Sequence, residues 1–61
     1  MPLSGKEMLR RYLQAGWTLK RIRGSHHILE KDGDNETIPV HGNRDLGKGL
    51  ENYLLKQLEG K

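Results

Sequence analysis

A chain of 61 residues without a cysteine has to hold itself together by packing alone. A domain this small buries only about 60% of the surface that its unfolded chain exposes. Neither a disulfide nor a thiolate zinc site is on hand to make up the difference. The fold must therefore commit most of its apolar side chains to one thin core. A cysteine-free chain suits a reducing compartment, and no apolar run is long enough for a signal-peptide core or a membrane span. A soluble, cytoplasmic protein with no membrane contact is expected. No repeat, low-complexity tract or linker divides the sequence, so residues 1–61 read as a single domain.

Two amphipathic stretches supply the material for that core. Ser4-Gly5-Lys6-Glu7 has the S-x-x-E form of a capping box, in which the Ser4 hydroxyl takes the Glu7 amide hydrogen and Glu7 reaches back to the Ser4 amide. In the helix that follows, Met8, Leu9, Tyr12 and Leu13 fall within an arc of about 140°. Lys6, Glu7, Arg10, Arg11 and Gln14 face water. Gly16 provides the left-handed residue that ends helices, and Trp17 after it is placed to fold back on Tyr12. A second helix is expected from about residue 48 to 58, where Leu50, Tyr53, Leu54 and Leu58 follow the spacing of a buried face.

Between the helices the texture changes to β-branched and aliphatic residues, which predict three short strands at about 18–23, 25–31 and 36–40. Asp32-Gly33 joins the last two as a hairpin. Pro39 has no amide hydrogen to give a ladder, so the third strand belongs at a sheet edge with that position turned outward. In the first strand Trp17 and Leu19 share a parity that Ile22 breaks; a bulge near Arg21 and an early strand end both account for it. The order α-β-β-β-α, with two apolar stripes and one antiparallel sheet, predicts an α+β two-layer sandwich with both helices on one sheet face. The stripes are about what such a core consumes, so the free domain is expected to be monomeric.

The charge is uneven. Residues 1–29 carry six Lys and Arg against Glu7 alone, whereas residues 30–61 carry five against seven Asp and Glu. The basic half attracts polyanions, because each phosphate neutralised releases condensed counterions; basic residues also serve simply to keep a small surface soluble. Within that half the run Lys20-Arg21-Ile22-Arg23 leads directly into Gly24-Ser25-His26-His27. Imidazole moves protons near neutral pH and arginine grips phosphate, which together are the groups that RNA cleavage requires.

Four segments carry a resemblance that covers nearly the whole chain: the helix ending in Ala15-Gly16-Trp17, then Gly24-Ser25-His26-His27, Ile38-Pro39-Val40-His41, and Leu54-Leu55-Lys56-Gln57. In order and spacing they resemble the HicA (YcfA-like) toxins of HicAB toxin–antitoxin systems. The family has Gly-Trp after its first helix, Gly-Ser-x-His, a hydrophobic-Pro-x-His strand and an aliphatic-Leu-Lys-Gln segment in its last helix. One position departs, since the family usually has Gly-Thr at the start of the last helix and here Gly49 is followed by Leu50. The resemblance implies a fold like a double-stranded-RNA-binding domain, endoribonuclease action on mRNA and neutralisation by a HicB-type antitoxin. His27 corresponds to the family's catalytic histidine.

Metal-free RNA cleavage needs a base for the 2′-hydroxyl proton, an acid for the leaving 5′-oxygen and cations for the developing phosphate charge. His27 fits the first role and no cofactor is called for. Lys20, Arg21 and Arg23, with Gly24 and Ser25, are the candidates for RNA contact, although three cations on one strand cannot all share a face. Ser25 stands two residues before His27 and in a strand would point the same way, to orient the imidazole or hold a phosphate oxygen; serine after glycine is equally a turn residue. His41 is either the second proton-transfer group or a solvated residue closing the edge strand. His26 and His27 point to opposite faces of a strand, which argues against a metal site.

Lys6, Arg10 and Arg11 on the wet side of the first helix, and Lys48 between Gly47 and Gly49, are further RNA-contact candidates against the plainer readings of a solvated helix face and a flexible helix entry. Trp17 either stacks on a base or fills the core, and a thin domain favours the core. A non-catalytic RNA-binding module and a protein-interaction module of the same fold are the competing functions.

Overall fold

The computed structural model describes residues 2–60. Helix α1 spans Gly5–Gln14 and helix α2 spans Lys48–Gly60, with strands β1 (Thr18–Arg23), β2 (His26–Lys31) and β3 (Asp34–Pro39) between them. The three strands form one antiparallel sheet in the order β1-β2-β3. Met8 and Tyr12 from α1, Trp17, Leu29 from β2, Ile38 from β3 and Leu54 from α2 make a single buried cluster. Both helices thus bury their stripes against one face of the sheet, in the expected α+β two-layer arrangement.

The ends of α1 follow from local chemistry. Ser4 caps it, its hydroxyl accepting from the Glu7 amide at 3.1 Å. The Glu7 carboxylate turns to Arg10 and Arg11 rather than back to the cap. The helix closes in a Schellman motif: Gly16 N–H donates to the Leu13 carbonyl and Trp17 N–H to that of Tyr12, with Gly16 at φ 99°. The Trp17 ring lies 4.9 Å from that of Tyr12 and is 3% exposed, so it belongs to the core. Lys31 donates to the Ala15 carbonyl at 2.9 Å, setting a cation at the negative end of the helix. Tyr12 ties the helices together, its buried hydroxyl donating to the Leu54 carbonyl at 2.6 Å.

Lys31 pairs directly with Asp34, which leaves Asp32 and Gly33 as a two-residue turn. Both have positive φ, 51° and 86°, the geometry of a type I′ hairpin. So tight a turn draws Asp34 and Asn35 into β3, which starts two residues earlier than composition suggests. The β1–β2 hairpin is also closed by two residues, since Arg23 pairs with His26 across Gly24 and Ser25. Ser25 therefore lies in a turn rather than in β2. Register along β1 shifts between Leu19 and Arg21, so Lys20 is the extra residue of a bulge. Leu19 pairs with Leu29 on the helix side, and past the bulge Ile22 takes that side opposite His27 while Arg21 and Arg23 face outward.

Four large apolar residues stay exposed among the described residues: Leu13 at 46% and Tyr53 at 49% on the helices, and Leu19 at 36% and Ile22 at 55% on β1. The helices and the three-stranded sheet do not cover each other's full width. Tyr53 instead meets Glu36 of β3 through its hydroxyl, at 3.2 Å. At the N-terminal end, Gly5 is buried against the end of β3, where a Cβ would overlap the Pro39 carbonyl oxygen. Val40 N–H donates inward to the Ser25 carbonyl at 2.7 Å. Alternation then turns the nitrogen and carbonyl of Pro39 outward at the edge, as the missing amide hydrogen requires.

Candidate active site

The Gly24–Ser25 turn is the hinge point of the candidate site. Gly24 adopts φ 59°, the left-handed region that the first residue of a type II′ hairpin turn occupies. The turn leaves the Ser25 carbonyl facing β3, where it accepts two hydrogen bonds. One comes from Val40 N–H; the other involves His27 Nδ1, at 3.3 Å. A carbonyl can only accept, so this second bond requires the His27 proton on Nδ1. Neutral His27 then carries its lone pair on Nε2, the state a general base needs.

The same residue reaches a second imidazole. Ser25 Oγ lies 3.3 Å from His41 Nε2. The Val40–Ser25 bond carries this contact, because it brings the residue after Val40 alongside the turn. The structure thus gathers Ser25, His27 and His41, separated by up to 16 positions in sequence, around one turn. His27 is half-buried and His41 exposed. On its own sheet face His27 pairs with Ile22 of β1 and Ile38 of β3, so apolar side chains flank it across both ladders.

The cationic residues are arranged differently. Arg21 and Arg23 share the open face with His26 and Ile28, opposite the face that carries His27. Arg23 lies beside the turn. Lys20, in the bulge, pairs with Glu30 at 3.2 Å towards the other end of β1. On α1, Arg10 and Arg11 both engage Glu7, while Lys6 is exposed. The Arg10 guanidinium, bonded to Glu7, holds that carboxyl below its usual range. Lys48 heads α2 and lines a shallow hollow with Pro2, Asp45, Gly47 and Glu51. Among the described residues no three His, Cys, Asp or Glu side chains come together as a metal-binding group, and no helix is long and apolar enough to cross a membrane.

Main-chain groups are what residue identities could not show. The Ser25 carbonyl and the Val40 amide both help build the site, and neither is a property of a side chain. The available signal was parity: proline at 39 forces its neighbour's N–H inward, towards the turn.

Against known proteins, the family description "HicA toxin of bacterial toxin-antitoxin" matches residues 5–59. The chain belongs to the HicA toxin family. A relative from Pseudomonas fluorescens (strain Pf0-1), described as a probable mRNA interferase HicA, is 36% identical over 50 residues. That match covers 80% of this chain and 83% of the relative. No solved structure matches the chain significantly. Family membership places this HicA chain among the toxins of toxin–antitoxin systems, and the turn with its two imidazoles lies within the matched region.

Proposed function

We propose that this HicA-family toxin is an endoribonuclease that cuts mRNA by metal-independent acid–base chemistry, with His27 Nε2 as the base. The observation that carries the reading is the His27 Nδ1 bond to the Ser25 carbonyl. It holds the imidazole in the one neutral tautomer that leaves Nε2 unprotonated and able to take a proton. His27 removes the proton of the 2′-hydroxyl, the 2′-oxygen attacks the adjacent phosphorus, and the 5′-oxygen leaves. The products are a 2′,3′-cyclic phosphate and a 5′-hydroxyl end. A base in this position contributes about 10²–10⁴-fold to the rate.

RNA is drawn to the basic half of the chain. Arg21 and Arg23 on the open face, with Gly24 and Ser25 at the turn, are assigned to its backbone; Lys6, Arg10, Arg11, Lys20 and Lys48 add to the field around it. Since Arg21 and Arg23 face away from His27, the strand must pass around the Gly24–Ser25 end of the sheet to meet both. A HicB-type antitoxin that covers this end would stop cleavage. The fold order suits a double-stranded-RNA-binding-domain-like scaffold.

The test is cleavage of a mixed mRNA by purified wild-type protein and by His27→Ala, with EDTA present and folding of both followed by circular dichroism. Loss of cleavage in the folded variant is the expected result. Equal cleavage by both overturns the assignment of His27. RNA bound by both proteins and cut by neither replaces the nuclease with a binding module.

A further inference from the structure

The reading of His27 as base leaves the leaving group unprotonated, and the same turn offers a route for that proton. Ser25 meets two imidazoles through two different atoms: its carbonyl faces His27 Nδ1 and its hydroxyl faces His41 Nε2, each at 3.3 Å. We infer that Ser25 Oγ is the general acid of the reaction and that His41 is its proton source. The inference rests on the ribonuclease reading and deepens it by naming the second half of the proton economy.

The chemistry balances. With His41 protonated, Nε2–H donates to Ser25 Oγ and frees the hydroxyl hydrogen to point elsewhere. As the phosphorus–O5′ bond breaks, the Ser25 hydroxyl gives its proton to the 5′-oxygen and takes the one on His41 Nε2. The 2′-hydroxyl proton ends on His27, so one imidazole gains a proton and the other loses one. Exchange with water restores both. His41 is exposed and Ser25 half-buried, so both lie within reach of substrate and solvent.

The arrangement also accounts for the anchoring around it. The Val40 amide bond to the Ser25 carbonyl, at 2.7 Å, is the main-chain link that sets His41 beside the turn. Replacing Ser25 by alanine removes the hydroxyl while leaving the carbonyl, so the bond to His27 survives. Acid and base are therefore separable by mutation, although they share a residue.

The test uses an oligoribonucleotide that contains a site cut by the wild-type protein, in two forms: one with the natural 5′-oxygen at the scissile phosphate and one with sulfur in its place. A thiolate leaves without protonation, so it removes the need for an acid and leaves the need for a base. On the oxygen substrate, Ser25→Ala and His41→Ala are each expected to lose about 10²-fold or more. On the sulfur substrate both should return to within about threefold of wild type. Ser25→Thr, which keeps the hydroxyl, should remain active on both. His27→Ala should stay slow on both substrates. Equal deficits of Ser25→Ala and His41→Ala on oxygen and sulfur, or no deficit on oxygen, overturn the assignment. A His27→Ala that sulfur rescues reverses the roles and overturns it too. Wild-type protein that cuts no RNA refutes the ribonuclease reading itself, and this one falls with it.

Discussion

Replacing Tyr12 by phenylalanine isolates one buried hydrogen bond and one buried ionisable group in a single atom. The hydroxyl donates to the Leu54 carbonyl at 2.6 Å and joins the two helices across the core. A net hydrogen bond of this kind stabilises by about 1 kcal/mol at neutral pH. The phenol is also held well above its ordinary range, first by burial and then by the negative charges of Glu36 and of an ionised Tyr53. A raised acid means that the fold keeps the proton when the unfolded chain releases it. The stabilisation is complete below the unfolded value, about pH 10, and is lost as pH rises beyond it.

At about pH 11 this costs the wild type up to about 1.4 kcal/mol, reduced to about 0.7 once screening in so thin a domain is allowed for. Phenylalanine pays no such penalty. The deficit of Tyr12→Phe should therefore shrink from about 1 kcal/mol at pH 7 to about 0.3 kcal/mol at pH 11. Urea unfolding followed by fluorescence of Trp17, the sole tryptophan and in contact with this ring, measures both values. An equal deficit at the two pH values would refute the claim that the hydroxyl is buried and protonated in the fold. No deficit at pH 7 would refute the helix-to-helix bond.

Two further outcomes are expected. Gly5→Ala forces a methyl group into the Pro39 carbonyl, backbone against backbone; a loss of about 1–3 kcal/mol should lower the melting temperature by at least about 5 °C, and an unchanged melting curve would mean that α1 does not sit on the edge of β3 as described. Replacing Arg21 and Arg23 by glutamine should lower the slope of log K against log salt for RNA binding by about one for each arginine that meets a phosphate, and an unchanged slope would remove the open face from the RNA contact.

Much of the architecture was legible because it rests on local rules. The Ser4 cap, Gly16 at the helix end, the Asp32-Gly33 turn and proline at the edge strand each follow from what one or two residues permit. Elsewhere a competing contact or the packing of distant elements decided the outcome. Leu13 and Tyr53 carry the spacing of buried residues, and only the width of the sheet shows that they are left uncovered. The reciprocal half of the capping box was lost to a competitor, since Arg10 and Arg11 offer Glu7 a stronger partner than a backbone amide. Of the candidate site, the imidazoles were visible as residue types. Their common attachment to Ser25 was not, because it depends on a turn that takes the serine out of β2 and on a main-chain carbonyl.

The bulge at Lys20 has a consequence beyond its own position. Side chains in a strand alternate with a period of two, so the odd-numbered residues Leu19, Arg21 and Arg23 would all face the helices if β1 ran without interruption. The extra residue works like an inserted base in a message: everything downstream is read in the other frame. Ile22 is turned to the apolar side and both arginines to the open side, while Leu19 keeps its place opposite Leu29. Deleting Lys20 would therefore close the bulge and cost one cation only, with Leu19 and Arg21 becoming consecutive in an unbroken ladder; keeping Lys20 but forcing it into the ladder would send both guanidinium groups inward and Ile22 out. The bulge absorbs a supernumerary residue so that the rest of β1 keeps its orientation, Ile22 beside His27 and both arginines on the open face.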